Sequence, residues 1–120
     1  NFSKTLNFCG ENNYDKILLK DYKKNKLYIS WPDLLVEEAN CKQDQEFWIW
    51  EYGKHGTCCK SYNQEQYFDL AMGLKDKFDL LTSFRNYGII PGKNYTVQSI
   101  NNTVRAITRG FPSLWCTERM

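Results

Sequence analysis

The chain has 120 residues, of which 42% are hydrophobic and 16% aromatic, a composition that fits one folded domain and excludes a disordered polypeptide. No apolar run reaches the roughly 20 residues that a transmembrane helix needs, so the sequence predicts no membrane span. The net charge of +2 is too small to identify a class of partner.

The first segment with a readable pattern is 14–29, which is ambiguous between helix and strand. Trp31-Pro32 should end it, because proline disfavours helical geometry in the residue before it. The segment also carries a basic cluster, which is more typical of a solvated face than of a surface that binds phosphates. Its members are Lys16, Lys20, Lys23, Lys24 and Lys26.

The next predicted element is a helix over 44–55, in which side chains such as Phe47 and Glu51 are spaced four residues apart. Gly56 is well placed to end this helix, since glycine is favoured just past a helix C-terminus.

Three later segments are also predicted to be helical: an amphipathic stripe over 67–78, its continuation over 80–87, and a second stripe over 97–107. The segment 114–116 is typical of the start of a strand. The chain is therefore expected to be mostly helical, with most strands supplied by parts of the protein outside it.

Five cysteines in 120 residues favour an oxidising compartment over the cytosol. Three glycosylation sequons, at Asn1, Asn94 and Asn101, agree with a secreted protein. The flexible turn before Asn94 makes it the preferred acceptor. The chain has no targeting segment and an odd number of cysteines, so we expect a single domain over 1–120 that is incomplete at both ends.

The residues with the clearest chemistry are Glu51, Lys54 and His55, which a helix would place on one face, one turn apart. An imidazole can transfer protons near neutral pH, an ammonium can stabilise a phosphorane, and a carboxylate can orient the imidazole. This combination suits metal-free cleavage of RNA. Three neighbouring aromatic side chains could pack beneath the site or stack on a base; they are Trp48, Trp50 and Tyr52.

Two other interpretations of these residues remain open on the sequence alone. His55 is the only histidine, and a lone histidine near a helix end is more often a cap or an ion-pair partner than a catalyst. A zinc site could use His55, Cys41, Cys58 and Cys59, but adjacent cysteines without a C-x-x-C pair make tetrahedral ligation awkward. We therefore expect no metal.

The segment 47–59, Phe-Trp-Ile-Trp-Glu-Tyr-Gly-Lys-His-Gly-Thr-Cys-Cys, resembles the second active-site segment of the T(2) ribonucleases, Phe-Trp-x-His-Glu-Trp-x-Lys-His-Gly-Thr-Cys. The resemblance implies that Glu51, Lys54 and His55 are catalytic. It also implies an α+β fold in which helices pack on a small antiparallel sheet.

Three further stretches resemble the style ribonucleases of nightshade-type plants: Cys58-Cys59, Trp31-Pro32-Asp33-Leu34 and the segment 70–91. This resemblance implies a secreted, monomeric endoribonuclease without a cofactor. It would cleave single-stranded RNA through a 2′,3′-cyclic phosphate and act in the rejection of self pollen, with pollen F-box proteins as partners. The segments 12–26 and 34–45 would correspond to the region that displays allelic identity.

Two departures from the family pattern leave an alternative open. Trp50 replaces the first histidine of the segment, whose role in the family is auxiliary. The family's other catalytic histidine belongs to an earlier His-Gly-Leu-Trp-Pro segment, and this chain would begin just after it. The 120 residues are expected to be nearly inactive alone, and a catalytically inactive storage or defence protein is the alternative function.

The resemblance also implies a disulfide between Cys9 and Cys58, since the family joins the cysteine after the catalytic histidine to one that follows the first active-site segment. Cys41 and Cys59 are then the candidates for a second pair. Cys116 would pair with a cysteine beyond Met120.

Overall fold

The computed structural model describes residues 5–115, and within that range the protein is helical, with no strand. Six α-helices follow in chain order: α1 (Asp21–Ser30), α2 (Glu38–Asp44), α3 (Glu46–Lys54), α4 (Gln64–Phe78), α5 (Leu80–Asn86) and α6 (Val97–Thr108). Two 3₁₀ turns lie at Lys16–Leu18 and Gly56–Cys58. The chain divides into two compact units, Asn1–Leu74 and Lys75–Met120.

The first unit is built around Trp48 and Phe68, both fully buried. Around them lie Leu19, Leu27, Cys41, Tyr52 and Met72, which come from α1 to α4 and the loop before α1. The indole Nε1 of Trp48 donates a hydrogen bond of 2.9 Å to the backbone oxygen of Trp31, which satisfies its only buried polar atom. This core fixes α3, the helix with the active-site motif, at the centre of the unit.

Two buried glutamines tie the segment before α1 to this core. The side chain of Gln64 binds both backbone groups of Asp15: its Oε1 accepts from the amide at 2.7 Å and its Nε2 donates to the carbonyl at 2.9 Å. The Tyr14 hydroxyl donates to Oε1 of Gln45 at 2.7 Å. Because a buried amide without partners would be costly, these contacts also fix the path of the segment 5–15.

An ion pair joins α1 to α4. The ammonium of Lys23 lies 3.2 Å from Glu65 and 3.1 Å from Asp69, and the Lys23 side chain is only 10% exposed. Burial lowers the pKa of Lys23, but its hydrogen bonds to Asp69 and Glu65 outweigh that effect and raise it overall. Lys23 is therefore a structural member of the basic cluster rather than a free cation.

The sequence predicted most of these helices but not all of their boundaries. The segment 14–29 is resolved as the 3₁₀ turn and α1, which ends at Ser30, as Trp31-Pro32 indicated. The helix predicted from 44 begins at Glu46, because Gln45 adopts a left-handed conformation (φ 55°) that separates it from α2. The helix α2 was not predicted.

The second unit contains α5 and α6. The predicted continuation over 80–87 is a separate helix, because Asp79 is left-handed (φ 33°) and its carboxylate accepts a hydrogen bond from the Thr82 amide. Thr96 caps α6 through a bond of 3.1 Å from the Ser99 amide to its hydroxyl. The strand expected to start at Leu114 is absent at 114–115, and Cys116 lies outside the described residues.

Candidate active site

The three predicted catalytic residues lie together at the C-terminal end of α3. The Nε2 atom of His55 is 3.8 Å from Oε2 of Glu51, and the His55 amide donates to the Glu51 backbone oxygen at 2.9 Å. The side chain of His55 is 40% exposed, whereas that of Glu51 is 19% exposed. An accessible imidazole is thus held beside a mostly buried carboxylate, with half-buried Lys54 between them in sequence.

The segment before α1 crosses the end of α3 and is anchored there. The Phe8 amide donates to the Lys54 backbone oxygen at 2.8 Å, and the Cys9 amide donates to Oγ1 of Thr57 at 3.1 Å. The same Thr57 hydroxyl donates to the Gly53 carbonyl at 2.7 Å. These bonds satisfy carbonyls that the helix end leaves free, and they hold the segment against residues 54–58, the candidate catalytic turn.

The predicted disulfide between Cys9 and Cys58 is present, with a Cα–Cα distance of 4.8 Å. It closes the same corner, since Cys58 ends the 3₁₀ turn that follows His55. The cross-link therefore fixes the position of Phe8 and Cys9 relative to the candidate catalytic turn.

The chain is similar to known proteins along its whole length. The Ribonuclease T2 family matches it over residues 1–120. The chain belongs to this family. Ribonuclease S-6 of Nicotiana alata is 58% identical over 98% of this chain and 55% of its own length. Ribonuclease MC of Momordica charantia is 32% identical over 93% of this chain and 57% of its own length. The chain thus spans about half the length of these relatives.

Solved structures of the family have the same fold. The crystal structure of the self-incompatibility-associated SF11-RNase of Nicotiana alata has a TM-score of 0.90 and 35% identity, covering 100% of this chain and 61% of that one. A variant of RNase MC1 in complex with 5′-GMP has a TM-score of 0.76 and 28% identity, covering 92% of this chain and 56% of its own.

The second disulfide predicted for this family member, between Cys41 and Cys59, is wrong. Both residues are free thiols. Cys41 lies on α2 and points into the core, where its charge adds to the effect of burial in raising the pKa of Tyr14. Cys59 lies instead beside Tyr67. Elimination among the remaining cysteines could not reveal that the two side chains have different neighbours.

The aromatic residues predicted to bind substrate fall into two groups. Trp48 is 0% exposed and Tyr52 is 6% exposed, so their rings offer no free face to a base within the described part of the chain. This corrects their assignment: they pack beneath the site. Trp50 is 57% exposed and forms an edge-to-face pair with Phe8, with ring centroids 5.5 Å apart.

Tyr67 of α4 lies close to the Glu51 carboxylate. Burial, followed by the charges of Glu51 and Cys59, raises its pKa to about 12. Its ring centroid is 5.6 Å from that of Tyr52, so it is packed between the core and the site. From the sequence, Tyr67 was predicted only as a member of the apolar stripe of its helix.

A groove of about 500 Å³ was also missed by the sequence analysis. It follows α1 and is notable for Leu34 and Leu35, which are 89% and 93% exposed. Adjacent apolar residues in a loop were the available signal, but Trp31-Pro32 was interpreted only as the end of a helix. The groove is lined by Ser30, Trp31, Pro32, Asp33, Leu34, Leu35 and Phe47.

The four zinc ligands weighed from the sequence, Cys41, His55, Cys58 and Cys59, all lie within residues 5–115. No group of three or more His, Cys, Asp or Glu side chains is arranged to hold an ion there. Cys58, one of the four ligands weighed from the sequence, is bonded to Cys9 and has no thiolate to offer.

Within residues 5–115 no helix has the length and apolar character to cross a membrane.

The sequons differ in accessibility. Asn94 is exposed and follows a turn, whereas Asn101 is half-buried on α6, and Asn1 lies outside the described residues. Glycosylation stays a prediction at all three, and exposure favours Asn94.

Proposed function

We propose that the protein containing this chain is an endoribonuclease that cleaves single-stranded RNA. The observation that carries the proposal is the close approach of His55 and Glu51, 3.8 Å apart, beside Lys54 at the exposed end of α3. An accessible imidazole that is oriented by a carboxylate is suited to exchange protons with an RNA strand bound at the protein surface.

In the proposed reaction the 2′-hydroxyl oxygen attacks phosphorus, the 5′-oxygen leaves with a proton, and a 2′,3′-cyclic phosphate forms. His55 transfers one of the two protons involved, and Glu51 orients its imidazole. Lys54 stabilises the negative charge that grows on the phosphoryl oxygens during attack. The second proton-transfer group would be a histidine of the preceding family segment, so the step needs no metal or cofactor.

The biological role is proposed from the relatives. The matches to Ribonuclease S-6 and to the self-incompatibility-associated SF11-RNase support a role in self-incompatibility, the rejection of self pollen. From the family resemblance we further propose that the protein is a secreted, monomeric style protein with pollen F-box proteins as partners. We also propose that segments outside residues 5–115 supply the antiparallel sheet of an α+β fold. The groove at Leu34 and Leu35 is a candidate base site, since its apolar lining can take a purine or pyrimidine face.

A catalytically inactive relative is the second candidate function. The observation that favours it is Trp50, which stands where the family pattern has a histidine. An inactive storage or defence protein would keep the fold, the disulfide and the glycans, but would not cut RNA.

The test is cleavage of polymeric RNA by the full-length protein in excess chelator. We expect turnover with a bell-shaped pH dependence, and a loss of at least about 100-fold in kcat for His55→Ala, the lower end of general acid–base contributions. Lys54→Ala should also reduce turnover, while Lys26→Ala, an exposed lysine of α1, serves as its control. Undiminished turnover of His55→Ala would refute the mechanism, and an inactive full-length protein would favour the second candidate.

A further inference from the structure

Phe8 and Trp50 form an exposed aromatic pair next to the catalytic turn. They are 56% and 57% exposed, with their ring planes inclined at 73°. Large aromatic side chains are usually covered, because burial of their surface stabilises the fold. Two aromatic rings that touch and are still more than half exposed bury little of their surface, and they leave ring faces open to solvent.

The backbone of Phe8 is unusual in a second way. Its φ of 52° lies in the left-handed region, which is unfavourable for a residue with a bulky side chain. The three other non-glycine residues with positive φ in the described range, Gln45, Asp79 and Arg109, each lie at a helix terminus, where this conformation is common. Phe8 has no such terminus of its own.

This strained conformation is maintained from outside. The Phe8 amide is bonded to the Lys54 carbonyl, and the next residue is linked to Cys58. Backbone strain that the surroundings impose is concentrated at functional sites, where it positions a group. Here the group is a phenyl ring held beside Trp50, which lies one helical turn before Lys54.

We propose that the Phe8–Trp50 pair is a stacking platform for a nucleobase of the RNA strand whose phosphate lies at Lys54 and His55. The inference rests on the proposed ribonuclease function and specifies how the strand is held. A base offers a flat apolar face to the two rings, and its backbone carries the negative charge that Lys54 attracts. Trp50 thereby supplies a base contact at the position where the family pattern has a histidine.

The occupant is a nucleic-acid strand rather than another protein surface, because the pair is small and adjoins the cationic end of the catalytic turn. Stacking also tolerates any base, so the platform would add affinity without fixing the sequence that is cut. The groove at Leu34 and Leu35 is a different feature, since its lining includes neither Phe8 nor Trp50.

The test is the affinity of the full-length protein for a short single-stranded DNA oligonucleotide, which lacks the 2′-hydroxyl and is not cleaved. We expect Phe8→Leu and Trp50→Leu each to raise its Kd by roughly 5-fold or more, the effect of removing a base–aromatic stack. KM for RNA should rise in parallel. Tyr22→Leu, which removes a 71% exposed tyrosine of α1, is the matched control and should leave Kd unchanged.

A second variant separates binding from folding. Phe8→Gly suits a φ of 52° and removes the ring, so we expect it to weaken DNA binding without lowering Tm. An unchanged Kd in both leucine variants would overturn the inference. If these variants also had a lower Tm, the result would mean that the rest of the protein covers the pair. Failure of the full-length protein to cut RNA would refute the ribonuclease proposal, whereas the DNA comparison would still decide the role of the pair.

Discussion

The side chain of Asn12 lies against the α-carbon of Gly53, one residue before Lys54. Its Nδ2 donates to the Ile49 carbonyl at 3.0 Å, and a β-carbon added to Gly53 would stand 2.9 Å from the Asn12 Cγ. The segment before α1 can follow α3 this closely only because position 53 has no side chain.

The first prediction is a coupling between these two positions. Gly53→Ala should gain about 0.5–1 kcal/mol from helix propensity, but it displaces Asn12 and breaks a hydrogen bond of similar worth, so the net effect should be near zero. In an Asn12→Ala background the same substitution should be stabilising. The measurement is urea unfolding of the four proteins of the cycle; additive effects within about 0.3 kcal/mol would contradict the contact.

The second prediction concerns Gly56, directly after His55. A β-carbon there would lie 2.8 Å from Cε2 of Tyr52, a buried ring confined by its neighbours. Gly56→Ala should therefore destabilise the protein by about 1–3 kcal/mol, as overpacked cores do. Gly73→Ala is the control, because position 73 in α4 is open and alanine should stabilise it by up to about 1 kcal/mol. Equal effects of the two substitutions on the free energy of unfolding would argue against the close packing.

The third prediction is that Tyr67 is one cause of a fall in folding stability at alkaline pH. Its pKa is raised to about 12, above the usual value near 10, chiefly by burial. Between these values the unfolded chain loses the Tyr67 proton while the folded protein retains it, so stability is full below about pH 10 and falls as pH rises towards 12. Tyr67→Phe should make this decline shallower. The measurement is the free energy of unfolding by denaturant at pH 9 and at pH 11, with Tyr22→Phe as the control. If the decline between these pH values is the same in Tyr67→Phe as in the unaltered protein, the prediction is wrong.

The sequence predicted those parts of the fold that depend on local pattern. Apolar spacing identified α4 and α6, and Trp31-Pro32 marked the end of α1. It missed α2 and the break at Gln45, because a left-handed residue other than glycine has no strong local signal and is held there by tertiary hydrogen bonds.

The catalytic motif was predicted as a unit because helix geometry alone brings Glu51 and His55 together. Helix periodicity could not tell which aromatic residues of α3 are covered, since that depends on the contacts of α1 and α4 with Trp48. Nor could it place Phe8 beside Trp50, because the two are joined only by the fold.

The fourth prediction is that the 120 residues alone are nearly inactive on RNA, even when folded. The reaction needs one group to remove the 2′-hydroxyl proton and another to protonate the departing oxygen, and this chain has a single histidine. Glu51 is a poor substitute for the second, because its carboxylate is engaged with the imidazole of His55, 3.8 Å away. Restoring the preceding segment with its histidine should give turnover in excess chelator. Trp50→His in that longer protein should leave kcat unchanged or mildly raised, since the family pattern has histidine there, whereas loss of the indole should raise KM by weakening the Phe8–Trp50 platform. Cleavage by the folded 120-residue chain at a rate within tenfold of the longer protein would mean that Glu51 or a solvent molecule completes the acid–base pair.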